Sequence, residues 1–532
     1  MNLLSLEFFV LLAVTFVCYY VLPKKIQWIC LLIASMIFYL FTGTFNFVFI
    51  LISSLSTFFA ARVLDHFNDD FIALKKSGEY SKDQLKEIKL KVRSKKRVVL
   101  FITLIVNFGI LAALKYWNTI INAINASTVE DLSFLVLGHG KGLLLPLGIS
   151  FYTFQAIGYL MDVYNSKIKN ERNFARYLLF LSFFPQLIQG PINRYDKLGA
   201  QFSEEHKFDF DIIKEGVLQF LFGAMKKYAI ADLLYKYLTV IFDTSYNDLP
   251  GSIIAFGILI YSIYQYADFS GGIDMVLGVA KIFGIRMQPN FKQPYFSISL
   301  ADFWRRWHIS LGLWMKDYVF YPFVLTEGMQ KLTKKCTKVS KHFGRAIPAG
   351  IANILVFLIV GVWHGPEMHY VLWGLYNGLV IALSDLLKPI FTKLTEKLKI
   401  NTKSFGFKVF QIIRTFIIVN IGWYFDRIYD VKKSFVFLGN TFTKFKIMQF
   451  KSAYDLLFVG ITYQKSRYGI AIIATILVFI ISIITEKNGE IYSWYKQRNI
   501  VVRWGIMYLF LFIFIISFLV PAGAAGFMYA NY

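Results

Sequence analysis

The sequence predicts an all-α, polytopic integral membrane protein of about 10–12 transmembrane helices, with further re-entrant or broken helices. Three observations predict it. Of 532 residues, 56% are hydrophobic and only 17% charged. Mean hydropathy is +0.52. Apolar runs near the ~20 residues that a bilayer requires recur from end to end. This composition excludes a string of soluble domains, a disordered chain, a coiled coil and a disulfide scaffold. Cys18, Cys30 and Cys336 are scattered and form no CxxC pair, so no redox motif or thiolate metal site is expected. The chain is also basic, with 57 Lys+Arg against 33 Asp+Glu and a formal charge of +24. Basic charge in general fits nucleic acid or a membrane surface. With this hydropathy the lipid bilayer is the expected partner and nucleic acid is not.

Taken in order, the clear spans are 3–22, 26–42, 45–64, 98–117, 143–163, 346–364, 369–387, 409–428, 468–485 and 504–522. Residues 3–22 lack the basic start and small-residue cleavage pattern of a signal peptide, so they read as a retained span. Segment 75–97 is charged and reads as a short surface helix. Between 174 and 330 the apolar runs are broken by Pro185, Pro191, Lys226, Lys227 and Asp268, and 270–325 mixes Gly, Pro, Asp, Arg and His with aromatics. Polar, broken segments persist at membrane depth only inside protein or beside a water-filled cavity, so the functional centre is expected there. No internal repeat of the inverted-repeat transporter kind is visible.

Charge orients the chain. With Lys24 and Lys25 inside, the N-terminus lies outside, and alternation places 65–97, 164–176, 331–345, 388–408 and 486–503 inside. Segment 65–97 carries ten Lys/Arg against six acids, and 331–345 carries six Lys/Arg with no acid. The inside segments together carry +22, nearly the whole charge of the chain. The basic balance is therefore a property of the cytosolic face of a cell membrane, where it marks topology or receives an anionic donor. Segment 429–466, six Lys against two acids, disagrees; long loops obey the rule poorly.

The densest candidate cluster is Asp302-Phe303-Trp304-Arg305-Arg306-Trp307-His308. Ser299 and Asp302 resemble a capping box, which starts a helix near Leu300. Asp302 and Arg306 are then i,i+4 partners. Trp304, Trp307, His308, Leu311 and Met315 are expected on one face, with Arg305 pointing elsewhere. A second candidate, Gly361-Val362-Trp363-His364-Gly365-Pro366, closes an apolar run. Pro366 ends that helix, and the glycines permit close approach of another backbone or a ligand. A neutral imidazole in a desolvated pocket suits removal of a proton from a hydroxyl attacking a thioester. From residues alone, His308 and His364 remain equally readable as interfacial hydrogen-bonding groups. Asp268 and Asp274, flanking Ser270-Gly271-Gly272, read as buried network members or helix caps. His364, Glu367 and His369 lack HExxH spacing, so no metal is expected. Residues 138–142 lack the spacing and the Ser/Thr of a Walker A loop, and no GxSxG or GxGxxG motif occurs.

The run Asp302–Tyr318, DFWRRWHISLGLWMKDY, resembles the signature of the membrane-bound O-acyltransferases. So do GVWHG at Gly361–Gly365, WGLYNGL at Trp373–Leu379, and further stretches at Leu143–Tyr164, Phe183–Ile192 and Tyr266–Met275. The resemblance covers about 143–387. It implies helices ringing a central funnel and divides the chain into N-terminal spans (1–142), a core carrying the motifs (143–387) and C-terminal spans (388–532). It implies an acyl group moved from a cytosolic thioester to an acceptor on the outer side. The family's WHG histidine matches His364 and its RWH histidine matches His308, which makes them the catalytic candidates. Asp302, Trp304, Arg305, Arg306, Trp307, Trp363 and Asp317 are then expected to support that region or the donor. The likeness is greatest to the bacterial branch that acetylates alginate. This implies acetyl-CoA, or an acyl carrier thioester, as co-substrate with no bound cofactor. A secreted SGNH-type partner and a polysaccharide or peptidoglycan acceptor are implied with it. Lys316 replaces an Arg usual in that branch, and the following 319–325 lacks its Gly pair. That tail leans toward the teichoic-acid branch, for which D-alanyl transfer from a carrier protein to lipoteichoic acid is the alternative. A lipid or polysaccharide transporter is the alternative of another class.

Overall fold

The structure is a computed structural model that describes residues 3, 5–41, 43–127, 136, 146–243, 249–449 and 465–519. Residues 138–142, the first residues of span 143–163, the end of span 504–522 and part of 429–466 lie outside the described residues. Among the described residues every regular element is helical. The chain is a multi-pass membrane protein. Among the described residues seven helices are long and apolar enough to cross a bilayer, or eight if one pair bent by 53° counts as a single span. Three of the other expected spans are shorter helices of 14–16 residues.

Contacts divide the chain into two compact units. The first comprises Met1–Val217 and Val276–Gln288. It contains α1 (Leu6–Val21), α2 (Gln27–Leu40), α3 (Thr44–Ser77), α4 (Lys82–Ser127), α5 (Ile149–Tyr164) and α6 (Phe174–Ser182). The charged stretch 75–97 is not a separate surface helix. α3 runs to Ser77, Gly78 turns the chain at φ 73°, and the basic residues open the 46-residue α4. At 1.5 Å per residue α4 is about 69 Å long, twice the ~30 Å hydrocarbon core, so its charged end stands clear of the core. α5 is buried almost throughout, including Ser150, Thr153, Gln155 and Asp162. Several polar groups in this interior find internal partners, as a dry environment favours. Gln155 pairs with Gln186 (3.1 Å), which also accepts from Asn193 (3.0 Å), and Thr57 meets Tyr177 (2.7 Å).

The second unit comprises Leu218–Met275 and Pro289–Tyr529. Its helices include parts of α7 (Phe210–Ala224) and α9 (Gly251–Ile282), with α8 (Asp232–Phe242), α10 (Leu300–Arg306) and α11 (Ile309–Met315). They continue with α12 (Glu327–Val339), α13 (Lys341–His364), α14 (Met368–Leu386), α15 (Lys388–Lys397) and α16 (Phe405–Arg427), then α17 (Val431–Thr443), α18 (Lys465–Asn488) and α19 (Ile500–Leu519). The basic segments 331–345 and 388–408 are largely helical, forming α12, the start of α13 and α15.

Two close crossings organise this unit, and both need glycine. A Cβ on Gly223 would lie 2.5 Å from the Gly271 carbonyl, and one on Gly271 2.8 Å from that of Gly223. With the backbones this close, the π-helical turn Met225–Ala231 delivers two successive lysines to α9. Lys226 reaches Asp274 (2.5 Å) and Ser270 (2.8 Å), while Lys227 reaches Asp268 (2.6 Å) and Asp232 (2.9 Å). Asp268 and Asp274 are thus members of a buried network rather than caps. In the α13–α14 hairpin, a Cβ on Gly361 would lie 2.3 Å from the Tyr370 carbonyl, one on Gly374 2.3 Å from that of Phe357, and one on Gly378 2.7 Å from the Ile354 Cα. This packing of small residues lets helices associate where the bilayer supplies no hydrophobic drive.

Gly374→Ala should destabilise the purified protein by about 1–3 kcal/mol, the usual cost of overpacking. Gly439→Ala, where nothing lies within 4 Å, should leave the thermal midpoint unchanged. Lys227→Met should be more damaging, about 3–5 kcal/mol, because it leaves Asp268 and Asp232 buried without a cation. Thermal unfolding in detergent measures both, and Lys227→Met combined with Asp268→Leu should recover part of the loss.

Candidate functional site

The site lies in the second unit, around a break in the chain between α10 and α11. Ser299 caps α10, its hydroxyl accepting from the Asp302 N–H (3.1 Å). The Asp302 carboxylate reaches back to the Ile298 N–H (3.2 Å), one residue earlier than a standard capping box would place it. Asp302 also pairs with Arg306 (3.3 Å) and Arg305 (3.4 Å), and Arg306 continues to Glu486 (2.8 Å).

The helix then stops. Trp307 is extended (φ −106°, ψ 129°), and His308 is left-handed (φ 48°, ψ 52°). The single helical face expected for Trp304, Trp307, His308, Leu311 and Met315 therefore does not exist. A neighbouring segment takes up the backbone groups that the break exposes. The Lys292 N–H donates to the Arg306 carbonyl (2.9 Å) and the Ile309 N–H to the Asn290 carbonyl (3.0 Å). Phe291 and Trp307 form the bridge between them. A left-handed non-glycine residue costs about 1–2 kcal/mol, which this pairing and the packing of Trp307 against Phe303 (rings 5.4 Å apart) and Phe291 (5.0 Å) offset.

His308 is 3% exposed. Its Nδ1 lies 3.2 Å from Asn290 Oδ1, which also accepts from the Ser310 N–H (3.0 Å) and hydroxyl (2.9 Å). Burial pushes the His308 imidazole down to about 3, so it is neutral at physiological pH. His364 is the last residue of α13, followed by Gly365 and Pro366 as expected. It is 6% exposed. Its ring stacks on Tyr370 (5.7 Å) and meets the edge of Trp373 (5.3 Å). The Trp363 ring lies 4.9 Å from the His364 ring and 6.4 Å from that of His308.

A cavity of about 570 Å³ joins these elements. Both histidines line it, with Trp304, Trp307, Leu311 and Met315, so residues expected on one helical face reach one wall by way of the break. Arg305, expected to point away, is on the wall, as is Lys316. Asp302 and Arg306 are not on it; they hold α10. Trp363 packs against both imidazoles and is not on the wall. Asp317 lies in the π-helical turn Lys316–Phe320 and is not on the wall either.

Sequence reasoning missed Asn290, Asn377, Gln265 and Asp426. Asn377 accepts from the Trp304 indole N–H (3.0 Å). Asp426 accepts from Gln265 (2.9 Å) and Tyr261 (2.6 Å), and both Gln265 and Asp426 line the cavity. The available signal was an amide or acid standing among aromatics, as Gln265 does between Tyr264 and Tyr266. Among the described residues no three His, Cys, Asp or Glu side chains gather into a metal-ligating group.

The arrangement can hold a small polar reacting centre in a cavity lined by two imidazoles, one of them the neutral His308, and by indoles, with cationic side chains also on its wall. Comparison with known proteins agrees with the motifs. The chain is 35% identical over 328 residues to the probable alginate O-acetylase AlgI of Pseudomonas syringae pv. tomato, covering 61% of this chain and 56% of that protein. It is 31% identical over 363 residues to the peptidoglycan O-acetyltransferase of Helicobacter pylori, covering 62% of each. It is 31% identical over 285 residues to the teichoic acid D-alanyltransferase of Bacillus subtilis, covering 52% of this chain and 67% of that protein. The matches thus span a little over half the length of the alginate relatives. The model of the membrane-bound O-acyltransferase family matches residues 37–422, more than two thirds of the sequence, and the chain belongs to that family.

Proposed function

We propose that this chain is a membrane O-acyltransferase that moves an acetyl group from a cytosolic thioester, acetyl-CoA, to hydroxyls of an extracellular polysaccharide or peptidoglycan. The observation that carries the proposal is the meeting of His308 and His364 at one cavity, with the Trp363 ring packed against both. These two histidines are 56 residues apart and on different elements.

The reaction needs one proton acceptor. As the acceptor oxygen bonds to the thioester carbon, its proton passes to an imidazole, the C–S bond breaks, and the departing thiolate takes the proton back. His364, matched to the family's WHG motif, is the first candidate for this base, and His308 assists from the α10–α11 break. Arg305 and Lys316 at the cavity wall suit an anionic donor. In the same reading the N-terminus lies outside, the basic segments face the cytosol, and a secreted SGNH-type partner relays the acetyl group. The names of relatives in the alginate and peptidoglycan branches support acetyl over D-alanyl transfer.

His364→Ala should lower transfer by on the order of 10²–10⁴-fold while leaving expression and the thermal midpoint unchanged; normal acetylation by that variant removes His364 from the mechanism. Radiolabelled acetyl-CoA and labelled D-alanyl carrier protein, offered separately with the acceptor, test the donor. Label from the carrier protein alone assigns D-alanylation, and label from neither leaves the transporter reading. The pH dependence follows from the depressed His308 value: a base must be unprotonated, and His308 stays so until pH falls toward about 3. Titration of His308 should therefore cost no activity between about pH 5 and 8, and an acid limb seen there should persist in His308→Gln.

A further inference from the structure

The Asn290 side chain stands outside everything the motifs assign, although the imidazole it touches, that of His308, belongs to one of them. Asn290 lies in Gln288-Pro289-Asn290-Phe291, on the segment that pairs with the α10–α11 break, and is 1% exposed. Its orientation is not free. The Ser310 backbone N–H can only donate, so the Asn290 atom 3.0 Å from it is the carbonyl oxygen, not the amide nitrogen. The Ser310 hydroxyl donates to the same oxygen at 2.9 Å. That oxygen is an acceptor with no hydrogen of its own, and His308 Nδ1 stands 3.2 Å from it. The ring nitrogen must then carry the hydrogen. In a neutral imidazole only one nitrogen does, so Nε2 holds the lone pair. The left-handed backbone at His308 gives this geometry a local origin: the break that turns the residue is the one that the Asn290 carbonyl closes through the Ile309 N–H.

We infer that Asn290 is a positioning residue that locks His308 in the Nδ1–H tautomer, so that whatever proton His308 handles in acyl transfer it handles at Nε2. The inference rests on the acyl-transfer reading for its functional part; the tautomer stands apart from it. The logic is that of a buried group that orients a catalytic imidazole by accepting from its other nitrogen. An asparagine in this role fixes the tautomer without adding charge. It therefore leaves the imidazole neutral, where a carboxylate would favour the imidazolium.

The test uses the full chain, purified in detergent, labelled with ¹⁵N at histidine, with the His308 signals identified by their loss in His308→Gln. The wild-type protein should show His308 with a protonated Nδ1 and an unprotonated Nε2. Asn290→Leu should abolish that preference and lower kcat for transfer from labelled acetyl-CoA by on the order of a hundredfold, with KM changed far less. Asn290→Asp keeps the acceptor, so it should retain the Nδ1–H tautomer and recover a large part of the rate. Its added negative charge stabilises the imidazolium, so the acid limb of the pH–rate profile should move to higher pH, a change that a purely structural contact would not produce. An Nε2–H tautomer in the wild-type protein overturns the inference. So does an Asn290→Asp variant with wild-type tautomer, wild-type pH profile and no advantage over Asn290→Leu. If the wild-type protein transfers no acyl group from any donor while its His308 is the Nδ1–H form, the acyl-transfer reading fails and the structural assignment of Asn290 survives.

Discussion

A dry protein interior has no water to complete a broken helix, so a helix can stop there only where other chain takes up its backbone groups. The site depends on that constraint at one place. Between Arg306 and Ile309 the chain leaves the helical path, and Asn290 and Lys292 supply the partners for the exposed carbonyl and N–H. The reward is directional. A continuous helix would carry His308 round to wherever a 3.6-residue period sent it. The break instead turns it to the left-handed region and aims it at the cavity that Trp304 and Trp307 also line.

The opposite wall depends on a different constraint, the approach of two backbones. Gly361, Gly374 and Gly378 bring α13 and α14 close enough for backbone atoms of the neighbouring helix to crowd the place where any Cβ would stand. That closeness sets Tyr370 and Trp373 around His364 and holds Trp363 beside it. One histidine is thus presented by a helix that breaks and the other by a helix end clamped to its neighbour. The first solution pairs backbone groups in a dry interior, and the Lys226–Asp274 and Lys227–Asp268 pairs apply the same rule to full charges.

Much of this was legible before any coordinates. The polytopic helical class follows from apolar run lengths, and Ser299 announces the start of α10 as Pro366 announces the end of α13. The polar stretch 174–330 marked the region that holds Asp268, Lys227 and His308. What misled was the assumption of helical continuity. The wheel drawn through Trp304, Trp307 and His308 named residues that do share a wall, but for the wrong geometric reason, and it sent Arg305 away from a wall that it lines. Segment 75–97 misled similarly: its charge reads as a surface element, whereas Gly78 merely separates two helices long enough to carry charge beyond the hydrocarbon. Asn290 was not legible at all, because a lone amide after a proline carries no periodic signal.

By itself the sequence determined the class of solvent, the polytopic helical character and the two histidine motifs, because each is a local or compositional property: run length, cap chemistry and motif spacing. Only the tertiary structure decided which motif residues face the cavity, which merely hold α10 in place, and which nitrogen of His308 carries its hydrogen. Those depend on contacts between segments far apart in the chain, Asn290 with Ser310 and Phe357 with Gly374, and no periodicity within one segment records what will be packed against it.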